Sequence, residues 1–247
     1  MRFKNLLPIT LVPLLGIALQ GATSNVDELI QKNIDARGGL QRIRAVKTMK
    51  MSGAILVRGT KGKFTLLLKR PHFVRMEMYA EGSAVVQAYD GTTAWSMNSS
   101  SPGVAEKVPE AQAKTVKEQA DFDGPLVDYQ QKGNTIELVG REKMETYEAY
   151  KLRVTLKNGD VRYFYLDTKS FLERRLSFRQ KEQAGEVEVD TYLDDYKSVN
   201  GIMVPYSFET RVGGTTVTQS SVENVEINTA LDDSLFRMPE KTGPIRL

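Results

Sequence analysis

The chain holds one histidine, His72, and no cysteine, and these two counts bound the chemistry open to it. Without cysteine there is no disulfide, thiolate nucleophile, CxxC redox pair, thiolate zinc site or lipid-bearing N-terminal Cys. With His72 alone, a two-histidine metal site is impossible, and a Ser-His-Asp triad has a single base to use. His72 follows Pro71 directly and shares the parity of Val74 and Met76. It reads as a histidine beside a turn, since a triad needs a nucleophile and an orienting carboxylate placed around it. No GxSxG elbow, P-loop, GxGxxG, HExxH or EF-hand spacing occurs. The acidic alternation Glu186, Glu188, Asp190, Asp194 has the residue type of a calcium face. Its period of two, opposite Val187 and Val189, reads instead as the solvated side of a strand. Asp194-Asp195 and Asp232-Asp233 read as turn residues. Lysines and arginines are scattered among strands with few aromatics between them, so no nucleic-acid footprint stands out.

Two positive signals remain. Met49, Met51, Met76 and Met78 fall on the apolar parity of neighbouring strands. Methionine is flexible and polarizable, and suits either a surface for variable apolar ligands or an ordinary core. Arg70 has the parity of Phe64, Leu66 and Leu68, so the strand delivers a guanidinium to the rim of the greasy side. Such a charge needs carbonyl or carboxylate partners. A partner on a covering helix would make Arg70 a latch; otherwise it snorkels past the strand end to water.

The elements around these residues are mostly strands. Met1-Arg-Phe-Lys4, an apolar run from Leu6 to Leu19, and Ala22-Thr23-Ser24 have the form of a secretory signal peptide with a small-x-small cleavage site. Residues 1–24 are thus expected to be a leader and residues 25–247 one domain, exported and soluble after cleavage. The formal net charge of +3 falls with that leader, because Arg2 and Lys4 leave with it, and the basic balance then says nothing about partners. Hydrophobic residues make up 40% and charged residues 26%, as in an ordinary globular protein. Ser24 and Asp27 open a helix with Val26, Leu29, Ile30 and Ile34 on one face, stopped by Arg37-Gly38-Gly39. A helical turn over Leu40–Ile43 follows. The period then changes to two. Met49, Met51, Ile55 and Val57 share one face; Phe64, Leu66 and Leu68 another; then Val74, Met76 and Met78; and an Asp90-Gly91 hairpin leads to Trp95. A helix from Pro109 to about Phe122 carries a thin, alanine-rich apolar stripe, and Leu126–Gln131 reads as a second helical piece. So thin a stripe packs weakly and suits a movable cover. Strands resume from Ile136 to Ile227, giving about ten or eleven in all.

The segment Gly62-Lys-Phe-Thr-Leu-Leu-Leu-Lys-Arg-Pro71-His-Phe-Val-Arg75, followed by Tyr89-Asp-Gly-Thr-Thr-Ala-Trp95, resembles the LolA family of periplasmic lipoprotein carriers. Tyr192-Leu-Asp-Asp-Tyr196 and Val199-Asn-Gly-Ile-Met-Val-Pro205-Tyr resemble the longer lipoprotein-sorting proteins of that kind. The resemblance implies a mainly β fold: a strongly curved antiparallel sheet, an incomplete barrel, with an N-terminal helix and inserted lid helices over an apolar cavity. It also implies that Arg70 latches the lid through backbone hydrogen bonds, and that acyl chains of lipoproteins or lipids are the cargo. An inner-membrane transporter and an outer-membrane receptor are the partners it suggests. The chain departs from the family in its greater length and its hydrophilic lid region, Pro109–Lys132.

The expected cavity lining is therefore Met49, Met51, Ile55, Val57, Phe64, Leu66, Leu68, Val74, Met76, Met78 and Trp95, with Arg70 as latch and no metal, cofactor or catalytic residue. The expected role is a carrier that sequesters acyl chains, since each CH₂ left in water costs about 0.8 kcal/mol. Two other readings share the sequence: an envelope sensor that binds lipid on the same fold, and a lipid hydrolase built on carboxylates.

Overall fold

The computed structural model describes residues 18–99, 104–182 and 185–239. Most of the expected leader, residues 1–17, lies outside the described residues, as does the greater part of the expected loop before α3, residues 100–103. Helix α1 (Ala18–Ala36) begins within the remainder of that leader, ahead of Ser24, and α2 (Leu40–Ala45) follows it after the expected glycine stop. Then come β1 (Thr48–Val57), β2 (Thr60–Lys69), β3 (Phe73–Ala80), β4 (Ser83–Asp90), β5 (Ala94–Asn98) and the short β6 (Ala105–Lys107). Helix α3 (Glu110–Gln119) interrupts the strands. The rest are β7 (Thr135–Lys143), β8 (Glu148–Thr155), β9 (Val161–Asp167), β10 (Glu173–Glu182), β11 (Gly185–Asp194), β12 (Lys197–Val199), β13 (Ile202–Val204), β14 (Ser207–Val212) and β15 (Thr215–Ile227).

Thirteen of these strands form one antiparallel sheet in the order β6-β5-β4-β3-β2-β1-β15-β14-β11-β10-β9-β8-β7, with β6 and β7 as unjoined edges. The sheet is open, not a closed barrel, as the fold class required. It has more strands than expected, partly because the run Ile202–Phe208 is not one strand. Pro205 has no N–H to give a ladder, and the chain breaks there into β13, which pairs only with β12, and β14, which joins the main sheet. The β12–β13 hairpin tucks against the end of α1. Met203 N–H donates to Arg37 O at 3.0 Å, and the carbonyl of Gly201 comes so close to Gly38 that a Cβ there would sit 2.2 Å from it. Gly38 also takes φ of 118°, so both space and backbone demand glycine.

The concave side holds the main core. Val26, Ile30 and Ile34 of α1 and Ile43 of α2 pack with Met49, Met51, Ile55, Phe64, Ile202, Val204 and Val222. Leu29 of α1 packs with Leu152, Val154, Phe164 and Leu166 of β8 and β9. At the other end of the sheet α3 lies over β3 to β5, and its alanine stripe is well seated: Ala113, Val116 and Ala120 are 2% exposed or less against Val74 and Ala94.

The convex side divides in two. Over β1 to β5, residues 229–238 run as a strap. Phe236 is fully buried against Phe73, ring centroids 5.4 Å apart, and Arg75 Nη1 donates to Leu235 O at 2.8 Å. Over β8 to β14 the surface is a ladder of cations on aromatic faces: Lys151 over Tyr165, Arg175 over Tyr165 and Tyr192, Arg211 over Tyr192. The expected solvated acidic face belongs to this ladder, with one correction. Asp190 is buried, held by Arg175 Nε at 2.8 Å, because the flanking guanidinium and tyrosine rings shield it.

Candidate functional site

Between α2, the residue that follows α1 and the sheet lies a cavity of about 340 Å³. Its floor is Met49 and Met51 of β1, Leu66 and Leu68 of β2, Phe164, Leu176, Leu193 and Phe208 of the far strands, and Ile202, Met203, Val204 and Pro205 of the hairpin region. Its roof is the segment after α3, where Asp121, Phe122, Gly124, Pro125 and Leu126 reach the cavity.

That roof, residues 120–134, is a series of turns and not the expected second helix. Gly124, Asp128 and Gly133 adopt φ of 76°, 52° and 78°, left-handed values that a right-handed helix does not tolerate. Its tip plunges inward, with Leu126 and Val127 1% and 0% exposed. Polar ties hold the rest. Lys132 Nζ donates to both carboxylate oxygens of Asp121 and to Gly124 O, each at 2.7 Å. Arg44 pairs with Asp128 at 2.6 Å, and Tyr129 OH donates to Asp27 at 2.8 Å. From α3, Glu118 takes a two-pronged grip from Arg162 of β9, at 3.1 and 2.8 Å. Burial pushes the Glu118 carboxyl up, and the charge of Arg162 does not fully offset it.

Arg70 sits at the centre of these ties. Its Nε donates to Val46 O at 2.7 Å and Nη2 to Ile43 O at 2.9 Å, satisfying carbonyls at the end of α2. Its Nη1 donates to Asp123 Oδ2 at 2.8 Å and Nη2 to Asp123 Oδ1, the bidentate geometry that makes Arg–carboxylate pairs strong. The guanidinium also lies 4.6 Å over the Phe122 ring. Of the two placements open to Arg70, the structure has the one with partners on the cover: carbonyls from α2 and a carboxylate from the roof. Burial would raise the Asp123 carboxyl, but the hydrogen bonds and charge of Arg70, with Lys132 and Arg37 behind them, hold it below its ordinary 3.8.

A group whose folded pKa is depressed stabilises the fold fully above its unfolded pKa and loses that contribution as pH falls through the folded one. Acidifying below about pH 4 is therefore expected to free the roof. Amide exchange in residues 121–134, referenced to β1, should accelerate over that window. Asp123→Asn should show the faster exchange already at neutral pH and little further change. Identical acid profiles for the two proteins would remove Asp123 from the account.

The expected lining residues separate into four groups. Met49, Met51, Leu66 and Leu68 line the cavity. Ile55, Val57, Phe64, Met76 and Met78 share its face but pack into the core beyond it, and Val74 lies under α3. Trp95 is a correction: it faces the other way. Tyr89 pairs with Ala94, so Trp95 stands opposite Ala88 and, through it, Arg75; that row is out of phase with Val74 and Leu68. Trp95 packs with Val86, Ala88 and Met97 on the convex side, and its Nε1–H donates to Phe236 O at 2.8 Å. His72 is exposed in the β2–β3 turn. Among the described residues no group of three His, Asp or Glu side chains is placed to hold a metal ion.

In overall fold the chain is similar to three solved structures. A DUF1329 family protein from Desulfovibrio piger superposes with TM-score 0.56 at 12% identity, over 86% of this chain and 97% of that one. A LolA superfamily protein from Nitrosomonas europaea gives 0.55 at 13%, over 86% and 97%. The likeness to both is one of fold. An outer membrane lipoprotein-sorting protein domain from Vibrio parahaemolyticus gives 0.52 at 10%, over 84% and 97%. No family model and no curated protein matches the sequence. What is shared is an open antiparallel sheet, which in this chain carries a cavity roofed by the segment after α3.

Proposed function

We propose that the protein is a periplasmic carrier that holds an acyl chain of a lipid or lipoprotein in this cavity and gives it up when the roof opens. The observation that carries the reading is the contrast between floor and fastening. The floor is aliphatic and aromatic, while the roof, whose tip residues Leu126 and Val127 are buried, is tied around that tip by ion pairs and carbonyl hydrogen bonds. A chain in such a cavity is shielded from water at about 0.8 kcal/mol per CH₂, and a roof tied by bonds of about 1–3 kcal/mol each can be released without unfolding the sheet. Sequestration needs no reactive group, which agrees with a chain lacking cysteine and carrying one exposed histidine. Loading at the inner membrane by a transporter and delivery to an outer-membrane receptor complete the proposed route, and the leader-like residues 1–24 support export.

The test is direct. Protein recovered from the periplasmic fraction, extracted with organic solvent and analysed by mass spectrometry, should release a lipid or an acylated peptide. The emptied protein should take up a fluorescent fatty acid in its place. A protein that yields no lipid, and binds no such probe, is not an acyl-chain carrier.

A further inference from the structure

The polar residues of the cavity wall are not all satisfied, and the exceptions face each other. Besides its apolar lining the cavity touches Arg37, Asp121, Glu173 and Tyr196. Asp121 takes both its bonds from Lys132, and the Tyr196 hydroxyl donates to the backbone carbonyl of Glu173 at 2.7 Å. Arg37 and Glu173 differ. Of the five N–H donors of a guanidinium, Arg37 uses one, Nη1 to Asp123 O at 3.2 Å. Among the described residues the Glu173 carboxylate has that same Nη1 as its ion-pair partner, at 3.8 Å, a separation beyond hydrogen-bond reach. Both side chains are mostly buried, 21% and 13% exposed. Charges held in apolar surroundings without full hydrogen bonding are costly.

We infer that the cavity takes a single acyl chain whose polar end is neutral and offers both a donor and an acceptor, the chemistry of an amide, with Arg37 donating to its carbonyl and Glu173 accepting from its N–H. This rests on the reading of the cavity as an acyl-chain site. At about 340 Å³ the volume lies at the small end of the ~300–1,000 Å³ of small-molecule pockets, so one chain fits and a bundle of three does not. The wall is electrically balanced: Arg37 against Glu173, Asp121 against Lys132, Asp123 against Arg70. A carboxylate head attracted to Arg37 therefore meets Glu173 alongside, and an ammonium head attracted to Glu173 meets Arg37. A neutral amide satisfies both groups and is repelled by neither.

Competition for a bound fluorescent fatty acid by decanamide, decanoate and decylammonium, of equal chain length, tests the assignment. Decanamide should displace the probe at a concentration about tenfold or more below the other two, the scale of a hydrogen bond to a charged group. Glu173→Gln removes the anion without touching the roof, so decanoate should then draw level with decanamide or pass it. A structural role alone would weaken all three competitors and keep their order. Equal or better binding of decanoate or decylammonium by the unaltered protein overturns the inference while leaving the carrier standing, and so does an unchanged order in Glu173→Gln. Failure of the probe and all three compounds to bind removes the carrier reading itself.

Discussion

Arg70→Leu is expected to leave the sheet folded and to loosen the roof by about ten- to a hundredfold. The change deletes the two donors to Asp123 and the two to the carbonyls of Val46 and Ile43. Bonds to charged groups are worth about 1.5–3 kcal/mol, and every 1.4 kcal/mol is about a factor of ten. Arg70 and Asp123 keep 22% and 16% of their side-chain surface in water, so water partly replaces what is lost, and the cost stays below that of breaking a fully buried pair. The loss falls on residues 120–134 because the backbone N–H of Arg70 still bonds Lys47 O at 2.9 Å, keeping β2 registered on β1. The introduced leucine replaces a guanidinium stacked on Phe122 with apolar contact. Hydrogen exchange across the roof and the release rate of a fluorescent fatty acid should therefore rise together, while the urea midpoint of the whole protein moves little. Exchange and release both at the original rates would show that Leu126 and Val127, not Arg70, keep the roof shut.

How much of this was legible in the sequence depends on the range over which each feature is decided. The concave parity of β1, β2 and β3 was legible because alternation is local, and Met49↔Leu68↔Val74 confirms one continuous face. The need of Arg70 for carbonyl and carboxylate partners followed from burying a guanidinium; that Asp123 supplies one required the chain between them. Trp95 was misplaced for a reason local pattern cannot mend. On β5 both faces are covered, Ala94 under α3 and Trp95 under a strap 141 residues away along the chain, so a buried aromatic does not reveal its side. Glu173 was missed through a single residue. Strict alternation would put it on one face with Arg175, but the ladder to β9 slips between Glu173 and Arg175. The bulge turns Glu173 to the cavity beside Leu176. The hairpin lining residues Ile202, Met203 and Val204 were hidden in the same way, by a strand that Pro205 cuts short. Positions decided by a slip, a proline or a distant strap are those that hydrophobic period does not encode.

The strap also carries the largest expected effect on stability, and it separates the two faces of the sheet experimentally. Phe236→Ala is expected to cost about 3–5 kcal/mol, the range for emptying a buried phenylalanine site, because its ring is fully buried against Phe73. At about 2–4 °C per kcal/mol for a chain of this size, melting should fall by about 10 °C. The hydrogen bond from Trp95 to the Phe236 carbonyl and the bond from Arg75 to Leu235 O are lost with the strap if it lifts. Trp95 is the chain's one tryptophan, so its fluorescence reports this face alone. It is expected to shift to the red in Phe236→Ala, yet to stay constant when the cavity of the unaltered protein is saturated with fatty acid. A brominated fatty acid should likewise leave it unquenched, since the sheet stands between Trp95 and the cavity. Strong quenching would put the ligand on the convex side, whereas a Phe236→Ala protein that melts lower but binds with unaltered affinity would fix stability and cargo to opposite faces of one sheet.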